Sequence, residues 1–339
     1  QTGKTRTQGS GSGDANSQEN SVILLKTTGD TMAGAITGFN RDSSRTLFLH
    51  HNQVLLLGSA LAEQGVKDRI DLFMRDQQAR KEVLVMVADG RAEKVLSTEM
   101  EQDKISGMFL LRVMEGLYAV SPQYRVRLLD FASRLLDETT SPIAPIAKVV
   151  RKDDRDIIRI SGMAVFKEDR MAGRLSNDET MGYILSMGNV KHCDVTAGTD
   201  LGKASFRVIK LDCERDVELR QDGGVGVALS IETTLNVSEL RGFEGTTPEA
   251  LMPHLAEVAQ EEIRRKITDT FKIMRKLNTD IYGFGTSVYR KYPKAWKTMK
   301  DRWDEIFPDI ELTVRVRARL SGTGQIVQSL EMEGEIHEN

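Results

Sequence analysis

The stretch TPEALMPHLAEVAQEEIRRKITDTFKIMRKLN, residues 247–278, carries the strongest helix signal in the chain. Thr247 is a good N-cap, Pro248 suits the first helical position, and Glu249 complements the positive end of the helix dipole. The residues that follow repeat an apolar position every three or four places, the period of one helix face: Leu251, Leu255, Val258, Ile263, Ile267, Phe271, Met274 and Leu277. We therefore predict one helix of about 30 residues, roughly 45 Å long.

The opposite side of this helix carries Glu262 and Lys266, four residues apart, a favourable pair that we expect on the solvent face. Strand patterns occur on both sides of the helix. The residues before it predict four strands: Val190–Thr196, Ala204–Leu211, Asp216–Gln221 and Val225–Val237. The residues after it, from Glu311 to Leu320, alternate between apolar and polar, which is typical of a strand with one buried face.

Length and patterning together predict an α+β fold with more than one domain. The chain has 339 residues, and a domain averages about 150. Short loops between consecutive strands favour mixed or mainly antiparallel sheets, and the long helix falls in the C-terminal domain. Pro142, Pro145 and the charged turn 152–156 place the boundary near residue 150. We predict an N-terminal α/β region over 1–150, divisible into two subdomains, and a C-terminal α+β domain over 157–330.

Composition excludes several classes of protein. The chain has 47 lysines and arginines against 50 aspartates and glutamates, a net charge of −3. This balance excludes a globally basic nucleic-acid binder, although a local basic patch is still compatible with it. Hydrophobic residues make up 40% and charged residues 29%, which excludes disordered and collagen-like chains. The sequence contains no apolar run near the ~18 residues of a membrane-spanning helix.

No motif in the sequence predicts a catalytic, cofactor or metal site. His50 and His51 are adjacent in a predicted strand and would point to opposite faces, so they cannot share one metal ion. Gly283-Phe284-Gly285 follows a helix and lacks the rest of a phosphate-binding loop. The aspartates of the 152–156 turn lack calcium-loop spacing. Cys193 and Cys213 lie in neighbouring predicted strands, so both one disulfide and two free thiols are compatible with the sequence.

The segment 272–300 is locally basic and contains interleaved aromatic residues. Together with Arg315, Arg317 and Arg319 it has three interpretations. It could be a phosphate-binding surface for nucleic acid, a solvated helix face with inward aromatic residues, or a surface for anionic lipid, where each basic residue contributes about 1 kcal/mol. The candidate residues for a partner or membrane surface are Lys291, Lys294, Arg315, Arg317 and Arg319.

Motifs in both halves resemble a known family. The first half contains Ser44-Arg45-Thr46-Leu47-Phe48-Leu49-His50-His51-Asn52-Gln53-Val54-Leu55-Leu56-Leu57-Gly58, and the second contains Ile160-Ser161-Gly162-Met163-Ala164-Val165-Phe166 followed by Gly173. The most specific group comes later, with fixed offsets between its members: Asp280, Gly283, Phe284, Gly285, Arg290, Pro293, Trp296 and Trp303. These residues resemble the Ger(x)C lipoproteins, the C subunits of spore germinant receptors, over residues 20–325.

The resemblance implies a noncatalytic subunit of a nutrient germinant receptor that acts in spore germination. It implies assembly with the integral-membrane A and B subunits on the extracytoplasmic face of the spore inner membrane. It also implies sheets wrapped by helices, a diacylglyceryl (palmitate-bearing) anchor on an N-terminal Cys, and no enzyme activity, cofactor or nucleic-acid partner. This sequence lacks the lipobox Cys and the opening strand of the family, so we expect an upstream truncation.

The family residues also have physical interpretations as scaffold residues. Gly283 and Gly285 would permit tight packing or positive φ between helices. Trp296 and Trp303 are seven residues apart, which places them on one face of a helix, packed against the sheet. The alternative to this family is a nucleic-acid-binding protein that uses the basic surfaces 272–300 and 315–319.

Overall fold

Two β-sheets, one of five strands and one of four, organise the chain into two units. The structure is a computed structural model that describes residues 24–42, 47–76, 79–199, 201–243 and 248–322. The first unit contains the residues up to Gly116 and Tyr124–Arg174, and the second contains Leu117–Gln123 and the chain from Leu175 onward. The mixture of helices with two mixed sheets confirms the predicted α+β fold.

The first sheet has the strand order β1-β2-β3-β4-β5. Its strands are β1 (Val54–Gly58), β2 (Leu84–Ala88), β3 (Ile143–Lys152), β4 (Arg155–Lys167) and β5 (Arg170–Leu175). β1, β2 and β3 are parallel, and β3 and β4 form an antiparallel pair. β2 is buried along its whole length, as a parallel strand covered on both faces should be.

The helices of this half are α1 (Met32–Asp42), α2 (Ser59–Gln64), α3 (Lys67–Arg75), α4 (Ala92–Leu96), α5 (Ser106–Val120) and α6 (Leu128–Leu136). Gly65, with a φ of 132°, ends α2. His50 and His51 were predicted to lie in a strand but form a short 3₁₀ turn at Leu49–His51, and the strand starts only at Val54. His50 to Gln53 interrupt the apolar pattern, so only the uninterrupted Val54–Gly58 run enters the sheet.

The second sheet has the strand order β6-β7-β8-β9. Its strands are β6 (Asp194–Thr199), β7 (Gly202–Leu219), β8 (Val225–Arg241) and β9 (Glu311–Gly322). β7 runs antiparallel to β6 and β8, whereas β9 is parallel to β8. Two separate strands were predicted where β7 is continuous. A register shift interrupts β7 between Val208 and Lys210. Inward-facing residues have even numbers before the shift and odd numbers after it, so the apolar–polar alternation that predicts a single strand is broken.

Two helices cover the inner face of this sheet. α7 (Asn177–Met187) begins at a capping box in which Ser176 and Glu179 exchange hydrogen bonds. α8 (Pro248–Leu277) is the predicted long helix, with 30 residues, while its predicted N-cap Thr247 lies outside the described residues. Shorter helices follow it: α9 (Phe284–Lys291), α10 (Pro293–Met299) and α11 (Trp303–Ile306).

The contact between α7 and α8 corrects one expectation. Lys266 is not on the solvent face, since its side chain is 8% exposed. Its amino group forms ion pairs with Asp178 of α7 and, at 3.4 Å, with Glu262. Thr270 donates a hydrogen bond to the Glu179 carbonyl at 3.0 Å. This side of α8 therefore faces another helix, which a helix-period pattern alone does not reveal.

The predicted domain boundary near residue 150 falls within the β3–β4 hairpin, where Val149 pairs with Ile158. The first unit continues through β4 and β5 to Arg174. Among the described residues, no helix is both long enough and apolar enough for a transmembrane segment.

Candidate functional site

Asp280 lies just before α9 and caps it. The Asp280 carboxylate accepts hydrogen bonds from the backbone N–H groups of Phe284, at 3.0 Å, and Gly285, at 2.9 Å. Gly283 occupies the left-handed region with a φ of 71°, where a side chain would add strain. The first N–H groups of a helix have no partner within it. The Asp280–Gly285 segment is therefore a helix start whose acceptor is a buried carboxylate.

Arg215 of β7 reaches the same place from the inner face of the sheet. Its Nη1 donates a hydrogen bond of 2.6 Å to the carbonyl of Tyr282, and its Nη2 lies 3.3 Å from the sulfur of Met187. The guanidinium carbon is 5.0 Å from the centre of the Phe284 ring, a cation–π distance. Its Nε is buried and has no hydrogen-bond partner in the described part of the chain.

Aromatic rings surround these charges. Tyr282 and Phe284 stack at 4.9 Å, and Phe271 of α8 lies 6.0 Å from each of them. The Tyr282 hydroxyl is buried and has no hydrogen-bond partner among the described residues. We call this group, consisting of Arg215, Phe271, Asp280, Tyr282 and Phe284, the inner cluster.

Burial sets the electrostatics of the inner cluster. It raises the pKa of the Asp280 carboxyl, against the hydrogen bonds from Gly285 and Phe284 and the charge of Arg215, which favour ionisation. Burial also lowers the pKa of the Arg215 guanidinium and raises the pKa of the Tyr282 hydroxyl well above its usual range. The inner cluster thus contains one carboxylate and one guanidinium whose opposite charges stabilise each other in a site that water does not solvate.

The remaining residues of the late motif extend this packing outward. Trp296 and Trp303 are 7% and 4% exposed, and their rings meet edge to face at 5.3 Å. They belong to α10 and α11, so the seven-residue spacing wrongly placed them on one helix. Pro293 is the first residue of α10, where its missing N–H costs nothing. Arg290 is exposed near the end of α9.

The earlier motif residues lie in strands of the first sheet. Gly162 has a φ of 75° and occupies a bulge in which two residues of β4 face one of β3. Pro145 pairs with Met163 there, whereas Ala147 pairs with Ile160. Phe166 is fully buried and meets the Phe131 ring edge to face at 5.1 Å. Gly173 is half-buried within β5.

The opposite face of the second sheet is exposed and charged. On β9, Arg315, Arg317 and Arg319 are all exposed. Arg317 contacts Glu232 of β8, with Nη1 2.9 Å from Oε1. Exposed acidic residues of β7 lie two strands away: Asp212, Glu214 and Asp216. We call these six charged residues together with Glu232 the outer face.

The other predicted surface lysines are close to acidic groups or to solvent. Lys291 forms an ion pair with Asp216 of the outer face, and its amino group is 5.5 Å from the Tyr292 ring. Lys294 is exposed in the first turn of α10. Of the aromatic residues interleaved with this basic segment, Trp296 is buried and Tyr289 is 54% exposed, so only part of the segment presents rings to solvent.

The other candidate groups do not form a metal or redox site in the described residues. Cys193 and Cys213 are free thiols, and burial raises the pKa of each to about 11. His50 and His51 belong to a 3₁₀ turn rather than a strand, and the His50 ring stacks on Phe48 at 4.7 Å. The described chain contains no group of three or more His, Cys, Asp and Glu side chains arranged for a metal ion.

Arg215 is the residue of the inner cluster that sequence reasoning missed. The available signal was the alternation of side chains between the two faces of a strand. Leu211, Cys213 and Val217 face inward, and Arg215 lies between them on the same side. A charged residue at an inward position of a strand predicts a buried partner. Because Asp216–Gln221 was predicted as a separate strand, Arg215 fell outside any predicted strand and its inward position was not recognised.

Comparison with known proteins identifies the family. Residues 161–324 match the family model described as spore germination B3/GerAC like, C-terminal. Residues 1–149 match the spore germination protein N-terminal domain. The chain belongs to the Ger(x)C family of germinant receptor C subunits. The two matches leave only a short gap, so the family covers both halves of the chain and supports a role in spore germination.

Individual members of the family show how far the similarity extends. Spore germination protein KC of Bacillus subtilis is 26% identical to the chain over 94% of it and 82% of the relative. Spore germination protein B3 of the same organism is 20% identical, over 83% of the chain and 75% of the relative. The crystal structure of the GerBC protein matches with a TM-score of 0.66, 17% identity, and coverage of 80% of the chain and 79% of GerBC. That match shows the shared fold.

Proposed function

We propose that the chain is a noncatalytic lipoprotein subunit of a nutrient germinant receptor that assembles with membrane-embedded A and B subunits. The observation that carries this proposal is the match of both halves of the chain to the two family models of spore germination proteins. The extracytoplasmic face of the spore inner membrane would be the place of assembly, with a lipid on an N-terminal Cys of the full-length gene product as the anchor.

The family-motif residues would serve the scaffold in this function. The Asp280 carboxylate of the motif caps α9, and Arg215, which lies outside the motif, donates a hydrogen bond to the Tyr282 carbonyl. Trp296 and Trp303 are buried against each other. Catalysis needs a group that can reach a substrate, whereas these groups lie in the interior. We therefore assign the buried motif residues to folding and the exposed residues to partners.

The geometry does not favour the nucleic-acid alternative. The three arginines of β9 face solvent on the same side of the sheet as Asp212, Glu214 and Asp216. Glu232 already pairs with Arg317, and Asp216 with Lys291. A polyanion binds where positive charge dominates, and this face alternates in sign.

A genetic experiment tests the role in germination. The gene is deleted in a spore former whose other nutrient receptors have been removed, and loss of optical density is followed after nutrient addition. We expect germination to fail with the deletion and to return when the full-length gene is restored. Normal germination of the deletion strain in that background would refute the proposal.

Assembly and anchoring need separate measurements. A full-length tagged protein, expressed with its A and B subunits, should retain both subunits after detergent extraction and affinity purification. Metabolic labelling with an alkyne-bearing palmitate should label it, and replacing the N-terminal Cys of the full-length gene product by Ala should abolish the label. Purification without either partner would contradict assembly, and an unlabelled protein would contradict the anchor, each independently of the germination result.

A further inference from the structure

β9 is an edge strand of the second sheet. The described chain has β8 on one side of it and no strand on the other. The apolar residues of β9 are only half-buried, whereas the β8 residues directly opposite them are buried. The half-buried row consists of Leu312, Val314, Val316, Ala318 and Leu320. A strand of 12 residues with such an edge is a template for pairing with another segment, because its outer peptide groups have no neighbouring strand.

The even-numbered residues of β9 present their peptide groups to this edge. The Ala318 N–H donates a hydrogen bond to the side chain of Gln260 in α8, at 3.3 Å. A single side chain thus takes the place that a neighbouring strand would occupy. Because peptide groups alternate between the two sides of a strand, the residues that share the parity of Ala318 also point their N–H and C=O groups away from β8.

The solvent side of β9 carries arginines without acidic partners. Arg315 lies opposite Ser230 of β8, and Arg319 lies opposite Thr234. Neither arginine forms an ion pair with any residue that the structure describes, whereas Arg317 reaches an acid of β8. Opposite charges on directly opposite residues stabilise strand pairs. The edge therefore favours a neighbour that has apolar residues on one face and acidic residues on the other.

The sequence that follows β9 has this complementary pattern. Residues 330–338 read LEMEGEIHE, with apolar residues or glycine at even positions and glutamates at three successive odd positions. The glutamates are Glu331, Glu333 and Glu335. A period of two is typical of a strand with one apolar face. This segment lies outside the described part of the chain and beyond residue 324, where the match to the family model ends.

An antiparallel return of the chain places the two patterns in register. A connection over residues 323–327 has a length common in hairpins and contains Gly324, which suits a turn. The return opposes each arginine to a glutamate, in the pairs Arg319–Glu331, Arg317–Glu333 and Arg315–Glu335. It opposes apolar residues to each other in the pairs Leu320–Leu330, Ala318–Met332 and Val314–Ile336. A shift of one residue would exchange the faces, and a shift of two would leave one arginine without its glutamate.

We propose that residues 330–338 pair with the edge of β9 in this register, as a further antiparallel strand of the second sheet. The added strand covers the half-buried apolar row and supplies acidic partners to Arg315 and Arg319. The Met332 carbonyl replaces the Gln260 side chain as the acceptor of the Ala318 N–H. The pairing closes an edge that β9 otherwise offers to other chains. This inference stands apart from the role in germination, since it concerns one sheet edge and the chain that follows it.

Disulfide trapping in the 339-residue chain tests the register. Arg317→Cys with Glu333→Cys places two thiols on directly opposite residues, about 4.5 Å apart between Cα atoms, which a disulfide can span. Cys193→Ala and Cys213→Ala remove the native thiols from every variant. We expect the disulfide to form within one chain under mild oxidation, measured by non-reducing electrophoresis and peptide mass. Arg317→Cys with Met332→Cys is the matched control, and its yield should be about tenfold lower because the second thiol points to the other face.

Exchange of charges tests the arginine–glutamate pairs in the trapping variant. Glu331→Lys with Glu335→Lys, and separately Arg315→Glu with Arg319→Glu, bring like charges together. Each pair of substitutions should lower the trapping yield about threefold, and the combination of all four should restore it. Glu338→Lys changes the same kind of charge away from the arginines and should leave the yield unchanged. Restoration by the combination excludes misfolding as the cause of the losses.

Three outcomes would overturn the proposal. The two cysteine pairs could trap equally well, which would mean that the segment has no fixed register on β9. The disulfide could form only between chains, which would assign the segment to the edge of a second copy. The yield could stay the same after both charge exchanges, which would remove the complementarity on which the pairing rests. Preferential trapping within one chain, lost in each exchange and recovered in the combination, would establish the added strand.

Discussion

The inner and outer faces of the second sheet use the same side chain in opposite ways. Arg215 of β7 points inward, where it contacts the Tyr282 carbonyl and the Phe284 ring. Arg317 of β9 points outward, where its partner Glu232 is 67% exposed. The difference shows that the position of an arginine along its strand decides which face its guanidinium points to, and the covering helices decide whether that face is buried. Residue type alone does not decide between a structural and a surface role.

The energetic consequences of the two environments differ by a large factor. An exposed ion pair contributes about 0–1 kcal/mol because water and salt screen it. Removing one partner of a buried pair costs about 3–5 kcal/mol because the other charge is left in a low-dielectric site. The comparison therefore predicts a steep decline in effect from the inner cluster to the outer face.

The largest effect should follow removal of the Asp280 carboxylate. Asp280→Ala leaves the Arg215 charge uncompensated and the N–H groups of Phe284 and Gly285 without their acceptor. We expect a loss of about 3–5 kcal/mol in the free energy of unfolding, measured by urea titration. A loss below about 1 kcal/mol would mean that the inner cluster is hydrated and resembles the outer face.

A smaller effect should follow crowding of the α7–α8 contact, which covers the inner face. A Cβ at Gly182 would overlap the Lys266 carbonyl oxygen and the Thr270 hydroxyl. We expect Gly182→Ala to cost about 1–3 kcal/mol, as overpacking does, again by urea titration.

The matched control for this crowding is Gly116→Ala in α5, where nothing lies within 4 Å of the added Cβ. This substitution should stabilise by about 1 kcal/mol because alanine favours a helix. Equal effects of the two alanines would show that Gly182 is not at a tight crossing.

A third effect is a pH dependence of opposite sign in two carboxylates. Burial raises the pKa of Asp280 above its unfolded value. Its contribution to the free energy of unfolding is therefore complete below about pH 4 and is lost as pH rises through the folded pKa. The hydrogen bond from Arg174 lowers the pKa of Asp89, so its contribution is present above about pH 4 and is lost as pH falls through the folded pKa.

Subtracting the stability of an Asn variant isolates each carboxylate. From pH 3 to 7, the wild-type advantage over Asp280→Asn should shrink, and the advantage over Asp89→Asn should grow. Thermal unfolding at fixed salt measures both differences. Slopes of the same sign would show that the Arg215 charge outweighs the burial of Asp280.

The smallest effect should come from the outer face. Arg319→Ala removes an exposed side chain of β9 and should change the unfolding free energy by less than about 0.5 kcal/mol. Urea titration measures the change. A loss above 1 kcal/mol would place Arg319 in a structural contact and end the contrast with the inner cluster.

Sequence reasoning succeeded where one segment contains all of the signal. The long helix α8 needs only the apolar repeat from Leu251 to Leu277 within one segment. It failed where two distant segments decide the outcome. The bulge at Val208–Lys210 shows itself only against β8, and Lys266 is buried only because α7 lies over it.

The candidate site was predictable in its residues but not in its contacts. Asp280, Gly283, Phe284 and Gly285 were singled out as a motif, whereas Arg215, 65 positions earlier than Asp280, was not. A register between strands or a charge pair across the core depends on tertiary packing, which no local window contains.

By itself the sequence therefore determined the α+β class, the long helix α8, the alternating strand β9 and the family. These properties depend on residue spacing within a few turns of helix or a few strand positions. Only the tertiary structure decided that β7 is one strand, that Arg215 reaches the Tyr282 carbonyl and the Phe284 ring, and that acidic residues of β7 share one face with the arginines of β9. Those properties depend on which segments pair and in which register, and a shift of one residue would reverse the faces.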